Sequence, residues 1–168
     1  ADGPSGTQVS QRVIDAMAGY LTNGNSNQGG AYVTGRETYA MAHAAHEALA
    51  DLLNARRPEE IVVGQNMTSL TYAMSRSISR EWQPGDEIIV TRLDHEGNVS
   101  PWLQAAADCD VTVRWLNVNT SDCTLRLEDL PGLLNTRTRL LAVTYASNAV
   151  GSITDMEEVS NIVRSSNA

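Results

Sequence analysis

Three short stretches of this 168-residue chain hold the side chains best placed to do chemistry. In TRLDHEGNVSPW, Thr91 to Trp102, His95 follows a β-branched run and stands between Asp94 and Glu96. Carboxylates so near can hold a proton on the ring, and an imidazole can also lie flat against a ligand. The bland alternative is a helix start, with Asn98 or Ser100 as cap and Pro101 in the first turn. In GQNMTS, Gly64 to Ser69, a turn feeds a helix, so the N–H groups near Met67 and Thr68 favour an anion and the Thr68 hydroxyl adds a donor. Capping alone would explain the same residues. In ASNAVG, Asn148 either makes a turn or offers its amide to a ligand oxygen.

What the chain lacks limits its chemistry as much as what it has. All twelve cationic residues are arginine, so there is no lysine, and there is no phenylalanine. A lysine amine is the side chain that forms a Schiff base with a carbonyl cofactor, and these residues do not supply one. His43 and His46 share one helix face at i and i+3 without an evident third ligand, so no metal site is expected. Cys109 and Cys123 fit no ligand spacing and are expected as reduced thiols.

Composition narrows the partners. A net charge of −8 and a pI near 4.7 oppose a phosphate backbone, and Arg56 and Arg57, the one adjacent cation pair, are followed by Glu59 and Glu60. Nucleic acid is therefore not expected. No apolar run approaches the roughly 18 residues that span a bilayer, and ADGPSGTQVSQ lacks the layout of a signal peptide. No membrane partner is expected, and the expected location is cytoplasmic.

The periodicity supplies the elements that position these stretches. Residues 7–22 and 34–54 have helical spacing, separated by the turn-rich NGNSNQGG. Beyond RRPEE the pattern predicts strands at 61–63, 87–91, 111–118 and 140–145. Helices are predicted at 70–82, near 100–107, at 127–134 and at 155–164. Strands alternating with helices imply a three-layer α/β fold with a mainly parallel sheet and flanking helices. In such sheets ligands sit beyond the carboxyl ends of the strands, where the three stretches fall. GQNMTS is neither a Walker A motif nor a dinucleotide fingerprint.

The combination DGPSGTQV, NSNQGGAY, GQNMTSLT, PGDEIIVTRLDHEGNVSPW and RTRLLAVTYASNAVGSI resembles the N-terminal portion of cysteine desulfurase-like proteins, in the class V aminotransferase family of fold type I pyridoxal-phosphate enzymes. The resemblance spans nearly the whole chain. It implies that the His95 ring stacks on the cofactor's pyridine face and that Met67 and Thr68 bind its phosphate. Asn148 would hydrogen-bond near the phenolic oxygen or the substrate. A small amino acid is the implied substrate, and a homodimer, or association with the missing part of the fold, the implied assembly.

By the same resemblance, residues 1–55 form a helical segment with a Gly/Asn-rich loop, and 56–168 the first part of an incomplete cofactor-binding domain. Later strands, a pyridine-pairing aspartate, the Schiff-base lysine and a C-terminal domain are expected outside this chain, leaving it inactive alone. Ile61 to Val63 would then have no strand neighbour, an exposed edge that another segment or chain must cover. Cys109 and Cys123 do not match the persulfide-forming cysteine, so a lyase or transaminase outcome stays open beside desulfuration. The alternative is a noncatalytic α/β assembly module acting through protein contacts.

Overall fold

A computed structural model describes residues 6–168, which form two compact units, one ending at Val63 and the other starting at Gly64. The DGPSG part of the opening motif falls on residues that lie, save Gly6, outside the described ones.

The first unit contains α1 (Gln11–Asn23) and α2 (Val33–Leu53), followed by a 3-10 turn at Pro58–Glu60. NGNSNQGG joins the helices as an ordered turn. Thr38, 5% exposed, donates to the Gly24 carbonyl at 3.2 Å and lies 3.1 Å from the Ser26 hydroxyl. The Tyr32 ring lies so close to Gly30 that a Cβ there would come within 2.0 Å of it. That close approach is why the loop carries glycine here.

Ile61 to Val63 does not form the expected strand. Ile61 is extended, with φ −91° and ψ 127°, but it enters no ladder, and Val62 and Val63 are 73% and 58% exposed. A β-branched run supplies the propensity for a strand and not the neighbour whose N–H and C=O groups define one. The lack of a neighbour within these residues agrees with the expectation from the resemblance.

The second unit is built on a parallel sheet ordered β2-β1-β3, with β1 (Glu87–Thr91) between β2 (Thr112–Leu116) and β3 (Thr138–Leu141). Ile88, Ile89 and Val90 of β1 are fully buried, as a central strand covered on both faces requires. One face packs Ile88 and Val90 with Trp82, Trp102, Ala105 and Ala106, from the chain before β1 and from α4 (Ser100–Asp108). The other packs Ile89 and Leu116 with Leu127, Leu130 and Val159, from the 3-10 turn Leu127–Asp129, α5 (Leu130–Leu133) and α6 (Met156–Ser165). The result is the three-layer α/β arrangement predicted.

Two strands are shorter than their hydrophobic runs. Val118 leaves the sheet to bridge Leu125 in antiparallel fashion across a turn in which Cys123 takes φ 59°. After β3 only the Ala142 N–H continues the ladder, to the Ile89 carbonyl at 2.9 Å, before the chain departs towards Asn148. The helix expected at 70–82 begins earlier, as α3 (Met67–Ile78), and ends in a 3-10 turn at Ser79–Glu81.

Candidate functional site

The early start of α3 places Met67 and Thr68 in its first turn rather than in a preceding loop. The Asn66 side chain caps the helix, its Oδ1 accepting the Ser69 N–H at 2.9 Å, while the Asn66 carbonyl takes the Leu70 N–H at 3.1 Å. The N–H groups of Met67 and Thr68 have no carbonyl one turn back to accept them, so they and the helix dipole are available to an anion.

At the carboxyl end of β1 the chain enters the 3-10 turn Glu96–Asn98, and His95 is its cap: Nδ1 accepts the Gly97 N–H at 2.9 Å. A nitrogen that accepts holds a lone pair, so in this geometry the ring proton sits on Nε2. This arrangement makes no use of the flanking carboxylates that could hold a proton on the ring. Asp94 instead accepts from Thr91 Oγ1 at 3.2 Å and from Asn98 Nδ2 at 3.1 Å, and Glu96 accepts the Ser100 hydroxyl. The same arrangement corrects the capping role given to Asn98 and Ser100. No side chain caps α4, because the Asn98 amide is occupied by Asp94 on one side and the Trp102 indole N–H on the other. Burial pushes the Asp94 carboxyl above its ordinary range, against the opposing pull of those hydrogen bonds.

Past β3, Ser147 organises the loop. Its hydroxyl accepts the N–H groups of Ala149 and Val150 at 3.3 Å each, and its carbonyl accepts the Gly151 N–H at 3.0 Å. Asn148 thus sits in a turn, as the bland reading held, while its amide makes no hydrogen bond among the described residues.

Met67, Thr68, His95 and Asn148 come together along one open groove of about 570 Å³, with Asp94 and Tyr145 also on its walls. Gly97 sets the closeness of two walls. A Cβ there would lie 2.6 Å from Thr68 Oγ1, 3.1 Å from His95 Nδ1 and 3.3 Å from Met67 Sδ. Asp94 was undervalued in the sequence, although its spacing with Asn98 and Trp102, four residues apiece, was the available signal. No arginine lines the groove, so an anion there relies on backbone N–H groups and a hydroxyl.

These residues suit pyridoxal phosphate: unpaired first-turn N–H groups for a phosphate, a flat ring for a heterocycle, and an open amide for an oxygen. They do not include the amine that would hold it covalently. A larger groove of about 690 Å³, along α5 and the end of α6, is lined by apolar and neutral polar residues such as Leu134, Asn135 and Ile162 and offers no titratable group. Elsewhere, His43 pairs with Glu47 at 3.4 Å and His46 Nδ1 lies 3.4 Å from the Pro58 carbonyl. Among the described residues no cluster of three or more metal-ligating side chains forms, both cysteines are free, and no helix is long and apolar enough to cross a membrane.

Comparison with known proteins adds to this geometry. The family model described as aminotransferase class-V matches residues 1–168. An aminotransferase-like protein of Gibberella zeae is 33% identical over 167 residues, covering 96% of this chain and 41% of the relative. The crystal structure of the cysteine desulfurase CsdA from Escherichia coli superposes with a TM-score of 0.83 at 26% identity, covering 96% of this chain and 41% of that one. A variant of C-DES, with glycine covalently linked to its PLP cofactor, gives a TM-score of 0.71 at 25% identity, covering 91% and 38%. The chain spans about two-fifths of the length of the first curated relatives that it matches.

Proposed function

The chain belongs to the aminotransferase class-V family, and from that premise we propose that it forms the phosphate-binding and ring-stacking walls of a pyridoxal-phosphate site in an enzyme acting on a small amino acid. Cysteine desulfuration is the activity favoured, because solved relatives of matching fold carry that name. The observation that carries the proposal is the convergence of Met67, Thr68, His95 and Asn148, from three separate segments, on one groove.

Each residue has a task that its surroundings permit. The first-turn N–H groups of α3 and the Thr68 hydroxyl bind the phosphate. His95, with Nδ1 committed to Gly97, keeps a flat face for the pyridine ring. Asn148 donates its amide to the phenolic oxygen or to the amino acid. When bound, the cofactor supplies an electron sink that protein side chains lack. Because residues 1–168 contain no lysine, none of their side chains supplies the amine that would hold the cofactor covalently, and the proposal takes that amine from outside them. A cytoplasmic location and a homodimeric assembly belong to the same proposal.

Titration with pyridoxal phosphate, followed by absorbance, tests it. Saturable binding, displaced by inorganic phosphate and weakened in Thr68→Val, His95→Ala and Asn148→Ala, is expected. Absence of binding, or binding untouched by all three substitutions, would overturn it. Borohydride should fix no cofactor to a side chain of residues 1–168.

A further inference from the structure

Asp94 does nothing in the reading above, yet it is the carboxylate on the groove wall, next to the ring that faces the ligand. Its surroundings are built. The Trp102 indole N–H, 7% exposed in the core, donates to Asn98 Oδ1 at 3.1 Å. An indole nitrogen can only donate, so the Asn98 oxygen is fixed towards Trp102 and its NH₂ group towards Asp94. There Oδ1 accepts it at 3.1 Å, while Oδ2 accepts the hydroxyl of the buried Thr91 at 3.2 Å. One side chain thus joins the end of β1, the His95 loop and, through Asn98, the core.

We infer that Asp94 is the positioning residue of the groove: by accepting from Asn98 and Thr91 it fixes the His95 loop against the end of β1, and with it the ring on the wall that the ligand must meet. The inference rests on the proposal that the groove takes pyridoxal phosphate. Asp94 acts through His95 and not on the ligand. Acceptance matters here and negative charge does not. An asparagine keeps one carbonyl oxygen for Asn98, and its NH₂ can donate to Thr91 Oγ1, which has a lone pair to spare after accepting the Leu93 N–H at 3.3 Å. Alanine keeps neither bond.

The test compares Asp94→Ala, Asp94→Asn and Trp102→Phe by two readouts: the ring-nitrogen resonances of His95 in the ligand-free protein and the dissociation constant for pyridoxal phosphate. Wild type should show one protonated and one lone-pair nitrogen. Asp94→Ala should move both towards the average of the two tautomers and weaken binding about tenfold, the loss of one or two net hydrogen bonds. Asp94→Asn should keep the wild-type ring pattern. Equal losses in the asparagine and alanine variants would make charge the agent and overturn the inference, as would an alanine variant unchanged in both readouts. Should Asp94→Ala fail to fold, Trp102→Phe, which removes the far donor and trims a buried ring without touching Asp94, must still shift the His95 resonances in the same direction, and no shift overturns the inference. If wild type binds no pyridoxal phosphate, the cofactor proposal fails while the ring resonances still decide the role of Asp94.

Discussion

The backbone N–H of Gly97 donates to Nδ1 of His95 at 2.9 Å, and this bond holds the imidazole by its own loop on the wall of the groove. A phenylalanine at 95 keeps a flat ring and loses the bond; an alanine loses both. Stacking is worth about 1 kcal/mol. His95→Ala should therefore weaken pyridoxal phosphate binding by roughly five- to tenfold, with His95→Phe in between. Equal affinities for all three, measured by absorbance titration, would remove the ring from the site.

Gly97 is where α3 and the His95 loop come closest, so a methyl group there reports on both. Gly97→Ala places a Cβ 2.6 Å from Thr68 Oγ1. The hydroxyl escapes by rotating about χ1, leaving the phosphate position. Stability should fall by about 1 kcal/mol or less. Affinity for inorganic phosphate should fall several-fold, as loss of one hydroxyl donor implies. Calorimetric phosphate titration checks it, and unaltered affinity would mean that Thr68 contributes no hydroxyl.

Where the sequence was legible, one physical signal sufficed. Glu87–Thr91 reads as a central strand because every residue from Ile88 to Val90 is apolar, and burial on both faces is the only way to satisfy that. The strand-end rule then located His95 and Asn148, which line one groove with Met67 and Thr68, although the strand expected before those two does not form. What failed needed information beyond the local run. Ile61 to Val63 has strand propensity without a partner. Val118 has it too, but a turn with Cys123 at positive φ draws it to Leu125. The network of Asp94, Asn98 and Trp102 was hidden because the same residue types also cap helices, and only the indole N–H decides between those uses.

Asp86 should make acid unfolding of this chain sensitive to a single carboxylate. It is 1% exposed, Arg139 Nε lies 3.1 Å from its Oδ1, and its Oδ2 accepts the Gln83 N–H at 2.8 Å. The Arg139 guanidinium beside it, more than any other influence, holds the carboxyl below its ordinary value of 3.8. Its folded-state pKa is depressed, so the stability it contributes is present above the unfolded value and lost as pH falls through the folded one. Asp86→Asn should unfold more readily than wild type at neutral pH, with the difference narrowing in acid. Urea midpoints between about pH 2 and 6 measure this, and a difference independent of pH would show that Asp86 acts through shape alone.

Ile89 and Val62 belong to equally strand-like runs that fold to opposite ends of the burial scale, at 0% and 73% exposed. Ile89 packs beneath β1 against Leu116, Leu127, Leu130 and Val159, so truncation leaves a cavity that rigid neighbours close only in part. Ile89→Ala should cost about 3 kcal/mol of unfolding free energy. Val62→Thr, at an exposed and unpaired site, removes almost no buried surface and should cost under about 0.5 kcal/mol. Chemical denaturation of both variants decides the matter. A large cost at Val62 would mean that this run is covered in solution, by a second copy or another segment, and protein-concentration dependence of the midpoint would identify the second copy as its cover.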